Sequence, residues 1–108
     1  MDSNYKKIFK DYQFRIEWTS SKPFNPEREA VDVVLTTKEG KEYYANVATP
    51  RFINYVFEKN KRTGECASGS YFCMPRLIIV KRIDKETIKA TIDDLINNLE
   101  VKEYFKKT

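Results

Sequence analysis

Residues 30–48 constrain the fold more than any other segment, because two strand-forming stretches flank a short turn there. The first stretch reads AVDVVLTT, the second reads EYYANVA, and KEGK separates them. β-Branched and aromatic residues are enriched in strands, and Gly40 can supply the positive φ angle that a tight turn requires. The sequence therefore predicts an antiparallel hairpin, so the fold must contain a β-sheet.

A further strand is indicated by the alternation in YQFRIEW, residues 12–18. Tyr12, Phe14, Ile16 and Trp18 would lie on one side of the strand and the polar residues on the other, which is the period of a strand with one buried face. The next segment, up to residue 29, contains two prolines and several polar residues, and we interpret it as a long loop.

A helix is predicted over residues 49–64. Thr49 is placed to cap its N-terminus, Pro50 occupies the first helical position, and Gly64 can end it. Its apolar residues follow the three- and four-residue spacing of a stripe that faces a core: they are Phe52, Ile53, Val56 and Phe57.

The C-terminal half adds one strand and one helix. The uninterrupted apolar run in RLIIVKRI, residues 76–83, predicts an interior strand buried on both faces. Asp84 is placed to cap the following helix. One face of that helix is apolar over its whole length and should pack on the sheet: it comprises Ile88, Ile92, Leu95, Ile96 and Leu99.

These elements predict a single α+β domain over residues 1–108. The order β-β-β-α-β-α favours a mostly antiparallel four-stranded sheet with two helices packed on one face. Residues 1–10 are interpreted as a lead-in segment, with a helical turn from which Ile8 and Phe9 pack down, and residues 100–108 as a tail in which Val101, Tyr104 and Phe105 can still pack.

The chain contains no histidine, which removes the commonest general base and the commonest metal ligand. Its two cysteines, Cys66 and Cys73, do not have the spacing of a structural zinc site. We expect both to be free thiols, with Cys73 packed as a small apolar residue between Phe72 and Met74. The sequence thus favours a protein that is not an enzyme and has no cofactor or metal.

The net charge of +4 raises the question of nucleic acid, although charges of both signs are interleaved and form no basic tail. Six basic residues would meet where the first helix ends and the last strand begins. Tyr71 and Phe72 lie between them in sequence, and aromatic rings beside cations suit single-stranded nucleic acid. A small nucleic-acid-associated protein is therefore the alternative reading, and its basic residues would be Lys59, Lys61, Arg62, Arg76, Lys81 and Arg82.

The glycine-punctuated segment RTGECASGSYFCMP, residues 62–75, is the candidate partner-binding site. A connector between a helix and a buried strand must reach the surface, and its Gly64 and Gly69 permit backbone shapes that other residues disfavour. Tyrosine and arginine are enriched at binding hot spots. The predicted partner-binding residues are Lys61, Arg62, Glu65, Tyr71 and Arg76.

Three segments within residues 43–97 resemble small bacterial α+β domains, some of which are immunity proteins that bind and neutralise a toxin. They are YYANVATPRFINYVFEKN, RTGECASGSYFCMPRLIIVKRI and DKETIKATIDDLI. The resemblance implies a non-enzymatic protein that binds a protein partner. The start of the chain lacks the apolar region of a signal peptide, and no apolar run approaches the ~20 residues of a membrane helix. We therefore expect a cytoplasmic protein that does not associate with membranes.

Overall fold

A computed structural model of the protein describes residues 2–17, 25–27 and 29–108, without the side chains of residues 2 and 3. Trp18 lies outside the described residues. None of the described helices is long and apolar enough to span a bilayer. In chain order the elements are α1 (Asp2–Ile8), β1 (Gln13–Glu17), β2 (Ala30–Thr36), β3 (Glu42–Ala48), α2 (Pro50–Thr63), α3 (Glu65–Gly69), β4 (Leu77–Ile79), α4 (Lys85–Asn97), α5 (Val101–Tyr104) and β5 (Lys106–Lys107).

The sheet is built around the predicted hairpin. β2 and β3 pair antiparallel, with Val33 opposite Ala45, and β1 pairs antiparallel with β2. Two short strands share the other edge of β3. β4 runs parallel to its C-terminal half, with Ile78 opposite Val47, and β5 runs antiparallel to its N-terminal half. The hairpin and the strand at residues 13–17 are confirmed.

The α+β class and the largely antiparallel sheet are confirmed, but the predicted layout of four strands and two helices is too simple. The described residues contain five strands and five helices. The additional elements are short: α5 has four residues and β5 has two. Elements of this length carry no periodic pattern, so the sequence did not reveal them.

The predicted interior strand is wrong. β4 has three residues and lies at the edge of the sheet, where it pairs with β3 alone. Ile78 faces the core, whereas Leu77 and Ile79 lie on the opposite face of the sheet and Ile79 is 57% exposed. The apolar run misleads because Val80 and Ile83 are buried only after the strand has ended.

The core lies between one face of the sheet and α4. Asp84 caps α4 by accepting a 2.7 Å hydrogen bond from the Thr87 backbone N–H. The apolar face of α4 is buried at Ile88, Ile92 and Ile96, and Leu95 is half-buried at its margin. The helix ends before Leu99, whose φ of 60° lies in the left-handed region.

Both the lead-in segment and the tail contribute residues to this core. Phe9, which follows α1, is 1% exposed, and its ring centroid lies 5.4 Å from that of Tyr43 on β3. Val101 on α5 and Phe105 after it are also buried. The outermost segments therefore close the core over the edge of the sheet.

A hydrogen bond joins β1 to α4 across the sequence. The Tyr12 phenol donates to Asp93 Oδ1 at 2.6 Å, and Lys89 Nζ lies 2.9 Å from Asp93 Oδ2. Burial raises the pKa of Tyr12, and the bond to Asp93 raises it further. The bond from Tyr12, with the charge of Lys89, lowers the pKa of Asp93. The pair is therefore most stable when Tyr12 is protonated and Asp93 is ionised.

Tyr12→Phe should lower the free energy of unfolding by about 1 kcal/mol at pH 7, because a hydrogen bond to a charged group is lost and Asp93 remains partly exposed. A lowered carboxyl pKa stabilises the fold above the ordinary value of about 4, and this stabilisation disappears as the pH falls through the folded-state pKa. The cost should thus shrink in urea titrations at about pH 2–3. Tyr104→Phe is the control, and an equal cost of Tyr12→Phe at both pH values would contradict the assignment.

Candidate functional site

The start of α2 is fixed by its predicted cap. The Thr49 hydroxyl accepts from the Phe52 backbone N–H at 3.3 Å and donates to the Glu27 carbonyl at 2.7 Å. Pro50 follows at the first helical position. Gly64, with φ of 86°, ends the helix and donates its N–H to the Asn60 carbonyl. α2 is therefore firmly attached at the end of β3 and runs over its full predicted length.

The apolar stripe of α2 does not face the core, so this prediction is wrong. The side chains of the stripe are half-buried, whereas the corresponding face of α4 is buried. None of them belongs to the core cluster of the described residues, and α2 packs mainly against α3 rather than against the sheet. The half-buried residues are Phe52, Ile53, Val56 and Phe57.

α3 packs on the last turns of α2 with an unusual backbone. Cys66, Ala67 and Ser68 have φ angles of 49°, 53° and 60°, in the left-handed region. Each such residue costs roughly 1–2 kcal/mol when it carries a side chain. A Cβ on Gly69 would lie 2.6 Å from the Phe57 carbonyl oxygen, so only glycine allows the two backbones to approach this closely.

A buried amide adds to the strain at this junction. Asn60 on α2 is 3% exposed, and its side-chain oxygen has no hydrogen-bond partner among the described residues. An unsatisfied buried acceptor costs about 1–3 kcal/mol. Strained backbone and unsatisfied polar groups persist where the surrounding structure requires them, and they concentrate at functional sites. Three of the six described non-glycine residues with positive φ lie at the α2–α3 junction, which is therefore the largest concentration of backbone strain among the described residues.

Four of the five predicted partner-binding residues lie at this junction. Lys61 and Arg62 occupy the last turn of α2, and both are exposed. Glu65 begins α3, where it accepts from the Thr63 hydroxyl at 2.9 Å and lies 3.6 Å from Lys59 Nζ. Tyr71 comes directly after α3 and its capping residue and is 53% exposed.

Arg76 does not join the other four. It precedes β4 with φ of 52°, and its guanidinium donates to the Glu103 carbonyl at 2.9 Å. It lines a cavity together with Lys102 and Lys106 near the C-terminus. Arg76 was predicted to belong to the binding segment because it lies only five residues after Tyr71 in the sequence. In the structure the chain turns back there to enter β4, so Arg76 lies on a different part of the surface.

The loop between α3 and β4 runs back along α2. The ring of Phe72 meets that of Phe52, in the first turn of α2, edge-on at 6.4 Å. Met74 lies at a shallow cavity that Phe52 also lines. Together α2, α3 and residues 70–74 form a surface outside the core, which we call the α2 surface.

The two cysteines are free thiols, but the predicted packing of Cys73 is wrong. Cys66 is half-buried in α3 and Cys73 is exposed. Phe72 and Met74 take the half-buried positions of the loop, so the residue between them faces solvent. Among the described residues, no three Cys, Asp or Glu side chains are arranged to hold a metal ion.

The six basic residues of the nucleic-acid alternative are also divided. Lys59 pairs with Glu65, and Arg82 lies 2.8 Å from Asp84 and 3.8 Å from Glu27. Arg76 lies elsewhere, as described above. Of the six, Lys61, Arg62, Arg76 and Lys81 have no ion pair among the described residues.

No protein-family model, no curated protein and no solved structure matches this chain significantly. The candidate function therefore rests on the geometry of the chain itself.

Proposed function

We propose that the protein is a non-enzymatic protein-binding domain that docks its partner through the α2 surface. The observation that carries the proposal is the apolar stripe of α2, which lies outside the core and remains half-buried. An amphipathic helix whose apolar face is not fully used by its own fold suits the groove of another protein. At 1.5 Å per residue α2 is about 21 Å long, sufficient for the central part of a standard interface.

The charge of α2 indicates the chemistry of the partner. The helix has four basic residues against one acidic residue. Two of the basic residues are paired within the protein, Arg51 with Glu27 and Lys59 with Glu65. Lys61 and Arg62, at the C-terminal end, have no ion pair among the described residues. The partner should therefore offer an apolar groove with carboxylates at the end that receives Lys61 and Arg62.

Exposed aromatic residues on the same surface supply candidate hot spots. Tyr55 on α2 is 48% exposed and Tyr71 is 53% exposed. Aromatic and arginine side chains dominate the energetics of many interfaces, so Tyr71 and Arg62 should be important contacts. The specific form of the proposal is an immunity-type inhibitor, whose partner is a toxin with an acidic surface. Stoichiometric addition of the protein should then abolish the toxin's activity.

The test is a reconstituted complex with the partner, starting from the product of the neighbouring gene. Arg62→Glu combined with Tyr71→Ala should weaken binding at least 100-fold in calorimetry, because both side chains are hot-spot types on the proposed surface. Circular dichroism and the melting temperature should remain those of the parent, since both side chains are exposed. A matched control is Lys41→Glu combined with Tyr104→Ala, which changes the same charge and removes an exposed tyrosine elsewhere.

Salt dependence separates this proposal from the nucleic-acid alternative. A packed protein interface should lose less than about tenfold in affinity between 50 and 200 mM salt, whereas 6–10 phosphate contacts would lose about 10³–10⁵. Equal binding by the Arg62–Tyr71 variant and the parent would remove the α2 surface from the interface. Equal weakening by the control variant would show that net charge, not the α2 surface, drives binding.

A further inference from the structure

A second surface, which is strongly basic, lies around β5. An open cavity of about 370 Å³ has an apolar floor that includes Tyr43 and Phe105. Among the residues that the structure describes, Glu39 is the only carboxylate that lines it. Five cationic side chains surround it, and they come from four separate segments of the sequence: Lys41, Arg76, Lys102, Lys106 and Lys107.

The positive surface continues into a neighbouring cavity. The two cavities share Ile8 and Glu39 as lining residues, so they adjoin one another. The second is lined by three further lysines, Lys7, Lys10 and Lys38, and its described lining contains no additional carboxylate. We refer to the two cavities together as the lysine face.

The charges of the lysine face are not neutralised by the protein. None of its cations forms an ion pair among the described residues. Arg76 donates to a neutral carbonyl, and the Lys102 ammonium lies 5.8 Å from the centre of the Tyr5 ring. Like charges gathered in concave, low-dielectric surroundings reinforce one another's potential. The lysine face is thus arranged to attract a ligand with several negative charges.

We infer that the lysine face binds a nucleic-acid backbone through its phosphates, without reading base sequence. A nucleic-acid backbone carries one negative charge on each phosphate, and this regular series of charges matches lysines that are spread over two adjoining cavities. Contacts between lysine and phosphate carry no information on base sequence. This activity lies beyond the protein-docking function of the α2 surface. It also uses different residues from the basic group that the sequence suggested, with Arg76 as the only residue in common.

The composition of the lysine face favours nucleic acid over a membrane surface. Binding to a bilayer interface is strengthened by apolar side chains that insert beside the cations. The exposed large apolar residues among the described ones are Tyr55, Tyr71, Ile79 and Tyr104, and none of them lines either cavity. Tyr43 and Phe105, the aromatic residues that line the first cavity, are buried and cannot stack on bases. A duplex should therefore bind at least as tightly as a single strand.

The inference is tested by fluorescence anisotropy with a labelled 20-base-pair DNA duplex and its single strand. The parent protein should bind the duplex at 50 mM salt. The affinity for the duplex should fall at least tenfold in a triple variant that combines Lys41→Gln, Lys106→Gln and Lys107→Gln. The slope of log affinity against log salt should become shallower by about 2–3, since each phosphate contact contributes about 0.9.

A matched control removes the same charge elsewhere. Lys61→Gln, Lys81→Gln, Lys85→Gln changes three exposed lysines that have no ion pair among the described residues, and it should lose less than threefold in affinity. Absence of duplex binding at 50 mM salt would overturn the inference, as would equal losses in the two variants. Tight binding to phosphatidylserine vesicles without binding to the duplex would overturn it in favour of a membrane ligand. The DNA assay contains no protein partner, and the partner-binding test changes Arg62 and Tyr71, which do not line the lysine face. Failure of either proposal is therefore distinguishable from failure of the other.

Discussion

Phe105→Ala should lower the free energy of unfolding by about 3–5 kcal/mol, the usual cost of deleting a buried phenylalanine side chain. Phe105 is 2% exposed and belongs to the core cluster. Its backbone N–H donates to the Val101 carbonyl at 2.8 Å, which positions it directly after α5. Since small domains are stable by only about 5–15 kcal/mol, the loss should be a large part of the total.

The measurement is urea denaturation followed by circular dichroism, with Tyr104→Ala as the matched control. Tyr104 is the neighbouring aromatic residue and is 38% exposed, so its removal should cost well under half as much. Comparable costs for the two variants would show that residues 100–108 do not close the core.

The structure shows that residues near both ends of the chain are buried in the core, whereas the local sequence indicates this only weakly. EVKEYFKKT is polar apart from isolated apolar residues, and neither α5 nor β5 is long enough to show a helical or strand period. Their positions depend on contacts with α1 and β3, which are distant in sequence. Local propensity contains no information on such contacts, so the sequence indicated that Phe9 and Phe105 can pack but not which elements they contact.

Elements with strong local signals were predicted correctly. The hairpin of β2 and β3, the Thr49 cap and Gly64 end of α2, and the Asp84 cap of α4 are all determined by residues close together in the chain. β4 was misassigned because a continuous apolar run does not distinguish a buried strand from a short edge strand followed by buried loop residues. The two cases differ in how many neighbouring strands the segment pairs with, and β4 pairs with β3 alone.

The candidate site could also be predicted only in part, because its assembly depends on contacts between segments that are distant in the sequence. An amphipathic stripe looks identical whether it packs on its own sheet or on another protein, so α2 was predicted to be a core helix. The lysine face is assembled from segments as distant as Lys7 and Lys107, which only the tertiary structure brings together. By contrast, the exposure of Tyr71 followed from its position in the glycine-punctuated segment, and that of Lys61 and Arg62 from their position beside its first glycine, at the polar end of α2.

Gly69→Ala should displace α3 from α2 and thereby disrupt the α2 surface. The added Cβ would meet the Phe57 carbonyl oxygen at 2.6 Å and the Lys61 nitrogen at 3.1 Å, and both are backbone atoms that cannot move independently of the helix. Alanine would also be strained at a φ of 83°. We expect hydrogen exchange to accelerate at residues 57–70, because α3 must open to relieve the contact, while α4 remains protected.

Gly40→Ala is the matched control, since Gly40 has a φ of 89° but no atom within 4 Å of the added Cβ. It should show only the backbone strain of about 1–2 kcal/mol and no faster exchange in α2 or α3. If the α2 surface docks the partner, Gly69→Ala should weaken partner binding at least tenfold and Gly40→Ala should not. Unchanged exchange at residues 57–70 in Gly69→Ala would contradict the close backbone contact. Unchanged partner binding despite faster exchange would show that the partner does not depend on the shape that Gly69 maintains.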